Sequence, residues 1–280
     1  MGVKIITDNC CDLPQDIIDE YDIKMIHMLV RFGVKEYQPD TLSIDEFYKM
    51  MVESPELPTT SQPTMEELLH VYEECLADGS EAIAIHLSSG MTGTVQSAQM
   101  AWDMLEGKER LTIIDSRKAS LGQGLLVLQA ARLAKQDVMR EQIVEEMFAL
   151  RERMNCLFTI NTLEYLVKGG RVSRTAGLVG SILDIKPVLH VNPEGFIEPL
   201  EKVRSRKGAL RRLVRLINER SAKLAGQTVG ISYVACYEEA SIFRDDFLNK
   251  YHVKEVIMNP IGPVVGSHVG PGAIAIFFAS

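Results

Sequence analysis

Cysteine is scarce in this sequence, and the five residues present are scattered. Cys10, Cys11, Cys75, Cys156 and Cys236 form no CxxC pair and no zinc-ligand spacing, and their number is odd. That pattern argues against a disulfide framework or a structural zinc and points to a reducing compartment. Long apolar runs are missing too: none approaches the ~20 residues of a membrane span. The N-terminal Met1-Gly2-Val3-Lys4-Ile5-Ile6 has no signal-peptide core and no Ser or Thr at position six for myristoylation. A cytoplasmic protein is expected. There is no Walker loop, no GxGxxG fingerprint and no GxSxG elbow, and Gly169-Gly170 is too short to cradle a dinucleotide. Positive charge is in deficit, 30 basic against 38 acidic residues for a net charge of −8, so no nucleic-acid partner is expected.

What is present is ordinary for a globular chain: 280 residues, 46% apolar and 24% charged. That length suits one large or two ordinary domains. Strand-like and helix-like segments alternate. Strands are predicted at 3–7, 23–31, 82–87, 111–115, 156–160, 186–191, 196–200, 228–234, 253–258 and 273–279. Helices are predicted at about 46–52, 66–76, 95–105, 121–135, 141–154, 162–167, 176–183, 207–223 and 238–251. Ser43-Ile44-Asp45-Glu46 and Thr64-Met65-Glu66-Glu67 fit the capping box, in which a hydroxyl and a carboxylate satisfy orphan helix donors. This rhythm predicts an α/β protein of parallel or mixed sheets flanked by helices. A break near residue 155 divides it into domains 1–155 and 156–280, with exchange of strands between them possible.

Three loops carry the chemistry. Pro58-Thr59-Thr60-Ser61-Gln62-Pro63 is dense in hydroxyls. His86-Leu87-Ser88-Ser89-Gly90-Met91-Thr92-Gly93-Thr94 follows an apolar strand, at the carboxyl edge where open α/β sheets bind ligands. The third, residues 261–272, holds His268 among four glycines and two prolines. Proline removes donors and glycine marks positive φ or close approach, so this segment is predicted to be a rigid, non-helical loop. None of the last two loops, nor the first, contains an acidic residue. Neither a metal site nor a carboxylate base is therefore expected there.

Each candidate has a plainer role. Ser88 and Ser89 would cap the helix beginning near Thr94, and Thr60 and Ser61 would do the same before Pro63. His27 and His86 lie beside apolar residues and read as core histidines. Asp8 and Asp12 bracket Asn9-Cys10-Cys11 and suit either a cation or a turn. A Ser-His hydrolase using Ser89 with His268 is the obvious enzyme reading, though Leu87-Ser88-Ser89-Gly90 imitates the nucleophile elbow poorly. Lys202, Arg204, Arg206, Lys207, Arg211, Arg212 and Arg215 form a basic cluster, and Lys168, Arg171 and Arg174 a second. These are either solvated faces or a docking surface for a phosphate-bearing partner.

Ile6-Thr7-Asp8 with Asp12-Leu13-Pro14, Thr59-Thr60-Ser61-Gln62-Pro63, Ser88-Ser89-Gly90-Met91-Thr92-Gly93-Thr94, Leu163 through Arg171, and Ile261-Gly262-Pro263 through His268 together resemble the DegV family. The resemblance runs in order along nearly the whole chain. It implies a two-domain α/β fold that buries one acyl chain between its domains, in a bacterial fatty-acid-binding protein that serves as the lipid-carrying subunit of fatty acid kinase. Its partners would be a long-chain fatty acid, an ATP-binding kinase subunit and, transiently, a membrane surface. No cofactor is implied, and the chain would not be an enzyme by itself. The carboxylate-binding hydroxyls fall on Thr60 or Ser61 and on Ser88 and Ser89, with the histidine at His268. Phosphoryl transfer falls on Arg171, with Arg206. Asn9-Cys10-Cys11 departs from the family's usual Ser-Thr at this loop. A lipid sensor or store without a catalytic partner is the alternative within the same ligand class.

The residues suit such a ligand on physical grounds. Each buried methylene contributes about 0.8 kcal/mol, whereas a carboxylate buried without donors is prohibitive. Hydroxyls and a histidine supply donors without setting a full cation in the slot. Ile160, Leu178, Ile182, Leu183, Ile185 and Phe277 are candidates for the apolar wall.

Overall fold

A computed structural model of the chain describes residues 2–38, 41–172, 185–221 and 223–280. The helix predicted near 176–183, with Arg174, Leu178, Ile182 and Leu183, lies outside these residues.

The N-terminal part builds a four-stranded parallel sheet in the order β2-β1-β6-β7 from β1 (Val3–Asp8), β2 (Lys24–Ile26), β6 (Glu81–His86) and β7 (Leu111–Asp115). Helix α1 (Gln15–Glu20) joins its first two strands, and α3 (Met65–Leu76) and α4 (Thr94–Met104) cover one face. A six-stranded sheet follows in the order β10-β9-β8-β13-β11-β12. It comprises β8 (Met154–Thr159), β9 (Lys186–Val191), β10 (Ile197–Val203), β11 (Thr228–Tyr233), β12 (Glu255–Pro260) and β13 (Ile274–Ala279). Only β11 and β12 run parallel in it, so this sheet is mixed. The fold is therefore α/β with sheets flanked by helices.

Helices α8 (Arg206–Arg220) and α9 (Tyr237–Lys250) cover the outer face of the mixed sheet through Leu213, Ile217, Phe243 and Phe247. Helix α5 (Leu121–Ala134) lies between the two sheets, touching β1 and β6 of one and β8, β11 and β13 of the other. Its sequence explains this place. Ten of its residues are buried and they go all round the helix, as expected of one sandwiched on both sides rather than lying on a surface. Helix α6 (Arg140–Arg153) packs beside it.

Both capping boxes form. Ser43 opens α2 (Ile44–Glu53) with Glu46, and Thr64 opens α3 with Glu67. Three readings change. First, 23–31 is not one strand. The Asn9 side chain accepts from Met28 N at 2.9 Å and donates to Met28 O at 3.1 Å. It takes the hydrogen bonds a neighbouring strand would make, so the ladder stops at Ile26. The chain restarts as β3 (Leu29–Phe32) in a small antiparallel sheet with β4 (Lys35–Tyr37) and β5 (Thr59–Ser61).

Second, residues within 261–272 do form a helix, α10 (Pro263–Val269). Proline sits at its first position, where the missing N–H has no intrahelical partner to lose, and Gly270 ends it at φ 71°. The same residues that exclude a helix interior mark the two ends of a short one. Third, His27 is exposed rather than in the core. His86 is buried, with Tyr72 Oη at 2.8 Å from Nε2 and Asp8 Oδ2 at 3.1 Å from Nδ1. Among the described residues no helix is long and apolar enough to cross a membrane.

Candidate functional site

The carboxyl ends of β1 and β6 face the small sheet and α10 across a narrow cavity of about 50 Å³. Cys10 and Leu87 reach it from the parallel sheet, Met28 from the interrupted strand, Thr60 from β5, and Val264 and His268 from α10. Arg171 comes from the turn after α7 (Glu164–Lys168). A second cavity, also about 50 Å³, adjoins it and shares Met91, Ala119, Ile197, Val265 and Val269. Its floor is the inner face of the mixed sheet: Ala273, Ala275 and Phe277 at alternate positions of β13 and its approach, beside Cys156 and Phe158 of β8. Period-two alternation sets them together, because only every second side chain faces inward. The pair has a polar end and an apolar end.

At the polar end Thr60 Oγ1 and His268 Nε2 are 3.0 Å apart. Strand alternation brings Thr60 to the cavity wall and leaves Ser61 exposed. Burial, and then the charge of Arg171, lower the pKa of His268 to about 4, so the ring is neutral at pH 7. Its Nδ1 is buried without a hydrogen-bond partner among the described residues. Gly169 backs onto that atom: a Cβ there would lie 2.4 Å from Nδ1 and 2.9 Å from Tyr165 O. A side chain at 169 would displace the imidazole, and this close approach accounts for glycine there.

Arg171 is half-buried in the cavity wall rather than on a solvated face. Nε donates to Met91 O at 3.1 Å and Nη1 to Gly169 O at 2.6 Å. No carboxylate among the described residues pairs with it. The clamp is thus not purely neutral: a fixed cation lies beside the hydroxyl and the imidazole. Burial lowers the pKa of Arg171 from its usual value, yet an arginine remains charged.

The other candidates stand elsewhere. Ser88 is buried and donates to Gly195 O at 2.8 Å, tying the loop after β6 to the β9–β10 turn. Ser89 is exposed, and both its N and its Oγ bond the Asp115 carboxylate, Oγ at 2.5 Å. Neither hydroxyl lines the cavities just described, and neither caps α4, whose N-cap is Gly93. Arg206 is bound to Glu239, with Nε 2.9 Å from Oε2. Arg212 pairs with Glu201 and Glu219. Lys207, Arg211 and Arg215 are exposed on α8, on the opposite side of the mixed sheet from the cavities. Of the apolar candidates Phe277 lines the second cavity; Ile160 and Ile185 line neither.

Sequence alone does not single out Cys10, Met28 or Thr92 as site residues, although all three line the polar cavity. A signal was available for Cys10, which follows a predicted parallel strand at its carboxyl edge. Burial, then the nearby Asp8 and Asp12, hold its thiol well above the usual range, so it is a thiol and not a nucleophile.

Comparison with known proteins fits this geometry. Residues 2–280 match the model of the DegV family. A DegV domain-containing protein of Caldanaerobacter subterraneus is 34% identical over 277 residues, spanning 99% of this chain and 98% of that protein. DegV of Bacillus subtilis is 33% identical over 278 residues, again 99% and 98%. Among solved structures, a fatty-acid-binding DegV family protein from Thermus thermophilus superposes with a TM-score of 0.93 at 29% identity over the whole of both chains. That of Bacillus subtilis DegV, described as a fatty acid binding protein, has a TM-score of 0.89 at 33% identity over 99% of this chain and 98% of that one. A family-wide match in sequence and a superposition end to end leave no part of the chain unaccounted for, and it belongs to the DegV family.

Proposed function

We propose that this protein binds one long-chain fatty acid between units 1–155 and 156–280, with the carboxylate at Thr60, His268 and Arg171 and the tail in the adjoining apolar cavity. The observation that carries this reading is the joining of the two cavities, one ending in a hydroxyl, an imidazole and a guanidinium with no acid paired to it among the described residues, the other walled by Ala273, Ala275, Phe158 and Phe277. A ligand with one small anionic end and an apolar body suits both. The fatty-acid-binding structures to which this chain is similar support the same reading.

The arrangement favours a carrier over a hydrolase. Ser89 donates to Asp115, and His268 faces Thr60 instead of a serine. A carboxylate held by a neutral imidazole and one guanidinium keeps an oxygen available to attack a phosphoryl group. The chain has no nucleotide-binding motif, so a separate ATP-binding kinase subunit would bring that group to Arg171. Organic extraction of the purified protein followed by mass spectrometry tests the ligand: about one fatty acid per chain is expected. An empty protein that gains no thermal stability from added fatty acid overturns the reading.

A further inference from the structure

One buried acid outside the head-group clamp bonds the residue that precedes α10 and a serine that lines the apolar cavity. Asp12 lies at the end of the loop after β1, in the left-handed region at φ 49°, and is 6% exposed. Its Oδ1 accepts from Gly262 N at 2.9 Å, the residue just before α10, and its backbone O accepts from Asn259 Nδ2 at 2.9 Å. Its Oδ2 is 2.5 Å from Ser120 Oγ, and Ser120 Oγ is 2.8 Å from Ser232 Oγ. Ser120 too has a positive φ, 54°, and lines the apolar cavity. Two residues in a conformation disfavoured for side chains thus meet at the wall of the apolar cavity. Strain of that kind persists only where its surroundings enforce it.

No lysine, arginine or histidine among the described residues forms an ion pair with Asp12. The groups around it are Asp8 at the end of β1, the Cys10 and Cys11 thiols, Tyr48 of α2, and the neutral donors already named. Burial, with a further push from Asp8, raises its pKa to about 7 against the hydrogen bonds of Ser120 and Gly262. Both charge states are satisfied. When ionised, Asp12 accepts the Ser120 proton. When neutral, Asp12 donates to Ser120 Oγ and the Ser120 proton turns to Ser232 Oγ. Gly262 N keeps its acceptor in both states.

We infer that Asp12 is a proton-linked positioning residue: binding of an anionic head group in the polar cavity draws one proton from solvent onto Asp12 Oδ2. The inference rests on the fatty-acid reading above. A carboxylate brought beside Cys10 and α10 adds negative charge to a buried site that already holds Asp8, and uncharging Asp12 relieves it. The proton comes from bulk buffer, no other bond is made or broken, and release of the ligand returns it. By linkage, affinity then weakens as pH rises above about 7, by up to tenfold per unit for one full proton.

The experiment titrates delipidated full-length protein with dodecanoate by calorimetry, in paired buffers of unlike ionisation enthalpy, between about pH 6 and about pH 9. Uptake approaching one proton above about pH 7 is expected for the parent. Asp12→Asn keeps an acceptor for Gly262 and should still bind, but with the uptake and most of the pH dependence gone. Ser232→Ala removes the acceptor used by the neutral form and should move the uptake window to lower pH. Because Asp12→Asn could fail to fold, carbon-13 resonances of labelled aspartate in the parent supply a second reading: one buried carboxyl should become protonated on ligand addition. Dodecanoate binding with no proton uptake, or with uptake unchanged in Asp12→Asn, overturns the role of Asp12 alone. Failure of dodecanoate and oleate to bind at any pH overturns the fatty-acid reading and this inference with it.

Discussion

Thr60 and His268 stand 208 residues apart in sequence and 3.0 Å apart in the fold, the hydroxyl of one facing Nε2 of the other. One comes from a three-residue strand of the smallest sheet, the other from the last turn of a seven-residue helix. Neither element would persist alone: an isolated short helix is marginal in water, and three-residue strands need neighbours. Packing of α10 against β3, β5 and α2 holds both, so the pair reports whether the polar end of the site is assembled.

Thr60→Val keeps the side-chain shape and removes the oxygen. Fatty-acid affinity should fall by about 1–3 kcal/mol, the cost of leaving a buried polar partner unsatisfied. Thr60→Ser should restore most of it. A direct binding titration decides, and equal affinity in Val and parent proteins would remove Thr60 from the clamp.

Gly169 offers a steric test that spares every polar group. Gly169→Ala adds one methyl where only 2.4 Å separates it from His268 Nδ1, so the imidazole must move. Binding should weaken while melting temperature changes less than in a core substitution. Unchanged binding would mean that the ring has room to shift.

Little of this pairing could be read from the sequence, although most of the scaffold could. The capping boxes at Ser43 and Thr64 and the run of apolar residues in α5 follow from local patterns, and local patterns set where helices start and which faces they bury. Interrupting strand 23–31 needed Asn9, which acts from the turn after β1 across nineteen positions of chain. The loop serines show the same limit. Ser88, Ser89 and Thr60 look alike as hydroxyls in glycine- or proline-bounded loops. Which one faces the cavity depends on strand alternation and on where Gly195 and Asp115 arrive from distant parts of the chain. As a member of a basic cluster Arg171 reads as part of a solvated or docking face, while its partial burial comes with the bond it makes to the Met91 loop.

Ser88 should accordingly matter to the fold. Its hydroxyl is buried and bonds Gly195 O, and Ser88→Ala strands that carbonyl. A loss of about 1–3 kcal/mol in stability by denaturant titration is expected, larger than the effect on ligand affinity measured at low temperature. The reverse ranking would place Ser88 on the ligand.

Stability against pH should show two opposed titrations. His268 has its pKa lowered to about 4, so its contribution is full above the unfolded value near 6.5 and is lost as pH falls through about 4. Asp12 is raised to about 7, so its contribution is full below the unfolded value near 3.8 and is lost as pH rises through about 7. Between these limits the slopes oppose, and the ligand-free parent should change little from this pair. Asp12→Asn should leave stability rising with pH across about 4 to 6.5, whereas His268→Gln should leave it falling toward about 7. Denaturation midpoints of both variants across that range check the signs, and matching slopes would refute the assignment.

Arg171 separates holding the ligand from using it. Its guanidinium lies in the cavity wall, fixed by Met91 O and Gly169 O, with no acid paired to it among the described residues. A charged donor of this kind contributes about 1.5–3 kcal/mol to a carboxylate, so Arg171→Gln should weaken fatty-acid binding by that order. Arg171→Lys keeps the charge but loses the planar fork that grips two phosphate oxygens at once. It should recover much of the binding and little of the ATP consumption measured with fatty acid and the proposed kinase subunit. Recovery of both would mean that charge alone suffices. Loss of both in Lys as in Gln would assign Arg171 to the architecture of the Met91 loop, and its two carbonyl bonds, not its charge, would then be what the site needs.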